Sequence, residues 1–428
     1  MNSNLLPLGK GNVERTAEVQ RLQENGCSVL ILNCPEGVLF GIDYAAWSVG
    51  PQFMGIKLIP PGLHYVYCSA SAAEDVGISR TGFFLYMRPQ EVAVFRWNAE
   101  TEELVKPESQ DEEARYADGV RSFDFDRNLG PYPLELAANW SELTRHATAD
   151  VVNKIEPVAK VVRSKRAEYD PAILPETKVQ DPTPQTIQLD GMDGDDDEVM
   201  GDVDAMEEPA AEQPQTPLPA QDPSSLESNM GSGCLFFSAV PRSRKKVGTT
   251  PLETTQLHMD GSSKLEAMIA KEYGGNEFGI LGELQLAYIA FLLGQNYDGF
   301  EQWRSLLLLL CSCESAAVHH SELFSELCRT FFAQLSQAPS DLFGDDLTRD
   351  NFMGTCAISL LEICDTQASS QKLRKRCMKL RELVEEKFGL STQDLALLGE
   401  DAPQIVDYED GRDLVNLAGV GGGVGEMD

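Results

Sequence analysis

The feature that most constrains this chain is a break in its middle. From Glu168 to Gly233 prolines recur from Pro171 to Pro223, large apolar residues are sparse, and Ile187–Gln213 holds eleven acidic residues and no basic one. Such a segment cannot bury enough apolar surface to offset the entropy of ordering it. It reads as an acidic disordered linker over 168–233. The 428 residues must then build their cores on either side of that tract, within the size range usual for domains.

Before the break the pattern is that of strands. Ser28–Leu32, Val38–Ile42, Gly55–Ile59, Leu63–Cys68, Gly82–Met87 and Val92–Trp97 are short and rich in β-branched or aromatic residues. Gly/Pro turns separate them, as in an antiparallel, sandwich-like β domain. Pro60-Pro61-Gly62 sets two φ angles and then supplies a residue free to take φ > 0; Gly50-Pro51 acts similarly. Amphipathic stretches at Asn12–Gly26 and Leu136–Ile155 place helices at the margins of a domain spanning 12–167.

After the break the period lengthens. A connecting segment, 234–262, contains Leu235–Val240, a candidate strand. Ser263 is placed to cap a helix starting near Lys264. Leu281–Gly294, Phe300–Ser315, Ser321–Leu335, Leu347–Cys364 and Leu373–Phe388 continue a helical domain over 263–396, with no repeat at a fixed period. A tail, 397–428, is acidic and glycine-rich, with one strand-like piece, Pro403–Tyr408. The expected class is therefore α+β with two domains.

Charge and motifs exclude several functions. The net charge of −33 argues against a broad basic surface for nucleic acid, and no sequence-specific nucleic-acid contact is expected. The longest apolar run, Leu306–Cys311, is far below the ~20 residues of a membrane span. Ten scattered cysteines and no secretory leader fit a reduced cytoplasmic or nuclear setting. No nucleophile elbow, zinc-protease helix, phosphate loop or kinase set is present, and Gly419–Gly425 lacks the ending of a phosphate loop. Cys311, Cys313, His319 and His320 have poor metal spacing; no metal or cofactor is expected. His64, inside a strand, reads as a hydrogen-bonded core residue. Arg163–Arg166 and Arg242–Lys246 read as solvated basic clusters, or as import or phosphate contacts. Thr183, Thr216 and Thr250 each precede proline and suit proline-directed phosphorylation.

One block is more specific. Gly37-Val-Leu-Phe-Gly-Ile-Asp-Tyr44, Trp47-Ser-Val-Gly-Pro51, Phe53-Met-Gly-Ile-Lys57 and Ile59-Pro-Pro-Gly-Leu-His64 closely resemble the AAR-two family of cistron-splicing factors. The resemblance resumes at Gly82–Leu85, Arg96-Trp97 and Leu129–Pro133. Beyond the linker it returns at Thr250-Pro251, His258–Asp260, Leu281-Gly-Glu-Leu-Gln285, Phe291–Gly294, Phe300–Trp303 and Asp350–Phe352. It implies a β-rich N-terminal domain and a VHS-like helical C-terminal domain, in a non-enzymatic assembly factor of the U-five small ribonucleoprotein. Such a factor holds the large scaffold protein Prp-eight by its RNase H-like and endonuclease-like domains, immature until a helicase subunit replaces the factor. A trafficking adaptor reading sorting peptides through the VHS-like half is the alternative.

Within the block, Gly41, Gly50, Pro51, Pro60, Pro61 and Gly62 are expected to shape the β domain. Asp43, beside Tyr44 and Trp47, is the position expected to do more, or to cap a turn. By the resemblance, Pro403, Gln404, Ile405, Val406, Asp407 and Tyr408 form the tail strand that completes a partner's sheet. Ile405 and Asp407 would face one side, Val406 and Tyr408 the other.

Overall fold

Ten short strands form two five-stranded sheets in the computed structural model, which describes residues 10–70, 80–157, 160–164, 234–241, 260–338, 352–367 and 370–388. They are β1 (Cys27–Leu32), β2 (Leu39–Ile42), β3 (Ala45–Ser48), β4 (Gly55–Ile59), β5 (Gly62–Ser69), β6 (Arg80–Met87), β7 (Val92–Asn98), β8 (Glu103–Val105), β9 (Leu129–Pro131) and β10 (Val162–Arg163). The first sheet has the order β8-β7-β1-β4-β9 and the second β10-β6-β5-β2-β3. The second is antiparallel throughout. The first is mixed, because β1 runs parallel to β7 and β4 to β9. Between β1 and β7 the chain builds most of the second sheet before returning, a crossover long enough for a parallel pair.

Strand β5 shows why the layers stack as they do. Leu63 to Cys68 contains one polar residue, His64, and a strand apolar on both faces must be covered on both. Val66 and Cys68 join Val29, Ile56, Phe83 and Phe95 in the core between the sheets. Leu63, Tyr65 and Tyr67 point the other way, into a core shared with the helices. At the β4–β5 turn Gly62 takes φ +141°, a conformation that a Cβ resists.

The helices are α1 (Lys10–Asn25), α2 (Gln110–Arg121), α3 (Leu134–Leu143), α4 (Ala149–Ile155), α5 (Ser262–Glu272), α6 (Gly279–Leu292), α7 (Tyr297–Cys311), α8 (Glu314–His319), α9 (Ser321–Gln337), α10 (Phe352–Gln367) and α11 (Gln371–Phe388). The single helix expected over Leu136–Ile155 is two. The chain breaks after Leu143, and Thr148 caps a new start by accepting from the Val151 amide. Helix α5 begins at Ser262, and Asp260 rather than Ser263 accepts the Ser262 amide and hydroxyl. Leu235–Val240 is not a strand. Its backbone is taken by other partners: Phe236 N donates to the Ile155 carbonyl and Ser238 N to the Glu283 carboxylate.

The two halves share a core. Trp140, Leu143, Val151 and Ile155 of α3 and α4 pack with Leu265, Leu281, Leu284 and Phe324 beyond the linker. Helix α6 is enclosed on every side: Ile280, Leu281, Leu284, Leu286, Tyr288 and Ile289 are all 0% exposed, as its nearly unbroken apolar sequence requires. Polar contacts cross the same boundary. Arg80 Nη1 donates to the Leu293 carbonyl at 2.7 Å, Asn296 Nδ2 to that of Arg163 at 2.8 Å, and Arg329 grips Glu142 through two nitrogens. None of the described helices is long and apolar enough to cross a membrane.

Candidate functional site

The residue singled out in the N-terminal block, Asp43, is a buried hub. It ends β2 in the left-handed region, φ +54°, and is 1% exposed. Its Oδ1 accepts the Tyr65 amide at 2.9 Å; its Oδ2 accepts the Tyr132 hydroxyl and His64 Nδ1, each at 2.7 Å. His64 Nε2 lies 2.6 Å from the Pro60 carbonyl. Both ring nitrogens therefore face acceptors, and both must carry protons. Burial, the largest effect, opposes the charge on His64, but the Asp43 charge, its hydrogen bond and the Pro60 carbonyl outweigh it and raise the pKa. Burial, and then the Asp43 charge, push the Tyr132 hydroxyl far up. Asp43 and His64 thus form a closed ion pair without a free lone pair on the imidazole. It can hold β2, the β4–β5 turn and the chain after β9 together, and cannot act as a general base.

The other block positions take different places. A Cβ on Gly41 would lie 2.1 Å from the Tyr67 ring, which covers that position. Tyr44 packs edge-on against Trp140 at 5.7 Å, so it belongs to the boundary between the halves. Trp47 is half-buried and, with Phe53 and Tyr132, lines a groove of about 510 Å³ beside the edge strand β3. Gly50 and Pro51 form the turn whose carbonyl at Gly50 accepts Phe53 N; Pro61 is exposed at the β4–β5 turn. Pro403–Tyr408, Thr183, Thr216 and Thr250 lie outside the described residues.

The residues weighed for metal are not brought together. Cys311 and Cys313 are buried in the helical core, where burial pushes the Cys313 thiol up to about 12. His320 pairs with Glu277 and His319 with the Ser315 carbonyl. Arg163 binds Glu103 through Nε and Nη2; Lys165, Arg166 and the cluster Arg242–Lys246 lie outside the described residues.

A second hub was missed. Glu283 on α6 is 0% exposed. Its carboxylate accepts Ser238 N and Oγ and the Tyr273 hydroxyl, each at 2.7 Å, and Gln302 Nε2 at 2.9 Å. Lys154 of α4 reaches the same place, donating to Ser238 Oγ at 2.6 Å with its ammonium 4.4 Å from the Tyr273 ring centroid. Two residues on, Gln285 Oε1 accepts the His146 amide at 2.8 Å. Gly282 permits this approach, because a Cβ there would sit 2.3 Å from the His146 carbonyl. The motif Leu281-Gly-Glu-Leu-Gln285 is thus a docking strip on which α6 receives the α3–α4 loop and the segment that follows the linker. Its signal was legible: two polar residues in a helix otherwise apolar on every side, which must be paired when buried.

Both hubs lie in regions matched by family models. The model for the AAR2 N-terminal domain matches residues 25–157, and the AAR2 C-terminal repeat region matches 237–393. A protein AAR2 homolog of Mus musculus is 33% identical over 394 residues, covering 90% of this chain and 94% of its own. That of Homo sapiens is 32% identical over 403 residues (92% and 97%), and that of Caenorhabditis elegans 30% over 378 (86% and 96%). A splicing-related role follows from these matches at that level, and the chain belongs to the AAR2 family.

Proposed function

We propose that this protein is a non-enzymatic assembly factor of the spliceosome, working in the cytoplasm and nucleus. It binds the large U-five scaffold protein Prp-eight through that protein's RNase H-like and endonuclease-like domains. It keeps the scaffold immature until the helicase subunit takes its place. The observation that carries this reading is the match of both family regions, in order, together with relatives that align over about nine-tenths of the chain. The Asp43–His64 pair is spent on holding the β half together. The tail segment Pro403–Tyr408 supplies a strand to the partner's sheet edge, and the acidic surface repels RNA from the occupied scaffold.

Binding of the purified full chain to the RNase H-like plus endonuclease-like portion of Prp-eight tests this reading. Ile405→Asp and Val406→Asp should each weaken the complex by roughly tenfold or more, about 1.4 kcal/mol. No binding by the unmodified chain would sink the assembly role. Binding that neither variant alters would remove the tail strand from it.

A further inference from the structure

Helix α11 is charged against its own dipole. Six of the eleven residues Gln371–Arg381 are Lys or Arg and none is acidic, while Glu382, Glu385 and Glu386 follow toward the C-terminus. A helix dipole favours the opposite order, acids first and bases last. The one base that obeys it, Lys387, donates to the carbonyls of Leu335, Ser336 and Ala338 around the end of α9. Three of the six early bases tie the helix to its neighbours: Lys372 pairs with Glu322, Arg376 with Glu326 and Arg381 with Asp365. Lys375 and Lys379 have no such work. Both are exposed and neither makes an ion pair among the described residues. At i,i+4 spacing they repel each other. In a chain with 68 acidic residues and a net charge of −33, two neighbouring lysines without a carboxylate break a local rule with no gain to the fold, as functional surfaces do.

A hollow adjoins them. About 320 Å³ of space lies between α3, α9 and α11, lined by the apolar Phe332 and Ala333 and by three cations, Arg329, Arg376 and Lys379. One carboxylate lines it, Glu142, and Arg329 grips that through two nitrogens. The nearby Glu326 is buried and already meets Arg145, Lys372 and Arg376. Cations therefore exceed carboxylates both in the hollow and on the face of α11 beside it. Met378, next to Lys379 in the chain, is 60% exposed and adds apolar surface to a basic face.

We propose that the Lys375–Lys379 face of α11 and this hollow form a docking site for a short acidic segment of a partner protein. One large apolar side chain of that segment enters the hollow, against Phe332 and Ala333, while its carboxylates meet the two lysines. Charge complementarity selects an anion, and the apolar wall selects a peptide among anions. Single-stranded RNA binds where rings are presented for its bases to stack on, and α11 has no aromatic residue before Phe388. A net charge of −33 also repels a long polyanion more than a short segment. The proposal does not rest on the assembly role, because it fixes the chemistry of the docked segment and not the protein that carries it.

Fluorescence anisotropy of the full chain tests the proposal, with a labelled probe peptide of Glu and Ser around one central Leu, at physiological salt. The unmodified protein should bind the probe saturably. The Lys375→Glu/Lys379→Glu double variant should bind it at least about tenfold more weakly, and exchanging the probe's Leu for Ala should weaken binding to the unmodified protein. Lys375→Glu alone should also weaken binding, yet it replaces a repulsive i,i+4 pair by an attractive one. Its melting temperature should therefore not fall, which separates a lost contact from a lost fold. No binding by the unmodified protein, binding indifferent to the lysines or to the probe's Leu, or tighter binding of an oligouridylate of equal charge would each overturn the proposal.

Discussion

Asp43 and Glu283 are both buried carboxylates, and each gathers at least three hydrogen bonds. They differ in where the donors come from. Those of Asp43, namely His64, Tyr65 and Tyr132, all belong to the β half. Those of Glu283 come from α5's end, α7 and the segment that follows the linker, with Lys154 of the first half beside them. The first hub fixes the β half; the second draws three separate pieces of the second half together, and Lys154, 3.9 Å from its carboxylate, brings the first half to it. A polar group sealed in a core specifies which surfaces meet, because any other arrangement leaves donors unpaired.

The sharpest way to break this comparison is Glu283→Ala. It strands the Ser238 amide and the Tyr273 hydroxyl and takes one of two acceptors from the Gln302 amide, and should cost about 3–5 kcal/mol. Urea unfolding followed by tryptophan fluorescence and by far-UV circular dichroism should then give two separate midpoints. Asp43→Asn comes next. It keeps the shape but leaves the His64 imidazolium without its counter-charge, for a loss of about 3 kcal/mol, and the single coincident transition should survive. Gly282→Ala is smaller, about 1–3 kcal/mol, because its methyl meets the His146 carbonyl rather than a yielding side chain.

The smallest effect is pH dependence, and the two regions should respond with opposite sign. The pKa of His64 is raised above 6.5 by its partners. Its contribution is complete below 6.5 and is lost as pH rises through the folded value. The pKa of His146, stacked on Phe278 at the boundary, is lowered by burial, against the opposing charge of Glu326. Its contribution is complete above 6.5 and is lost as pH falls through the folded value. Urea midpoints between pH 5 and 8 should therefore lose their acid-side decline in His146→Phe and their alkaline-side decline in Asp43→Asn.

Much of this architecture was legible in the residues. The six strands read from alternation all exist, as do the helices at both margins of the chain's first half and those of its second. Strands β3, β8, β9 and β10 were not, since two to four residues paired only by register leave no period to detect. Helix α2 carried a readable start, Ser109-x-x-Glu112 with Asp111 and Glu113, but buries only Ala117, so its apolar stripe is faint. The contact between the halves was the larger omission. Periodicity shows which face of α3 or α4 is apolar and not what covers it. Two signs pointed to it: β5 is apolar on both faces and α6 on all sides, more buried surface than either half alone can cover. Asp43 stood out by its block, whereas its partners His64 and Tyr132 are 21 and 89 positions away and meet it only in the fold.

The central claim is that the halves form one body, held by the α6 strip rather than by the linker. A site-specific protease site placed within 168–233 tests it most directly. After complete cleavage of the full chain, gel filtration at moderate salt should still show both halves in one peak at a 1:1 ratio. Elution of the intact protein as one species and of the cleaved halves as two would contradict the account.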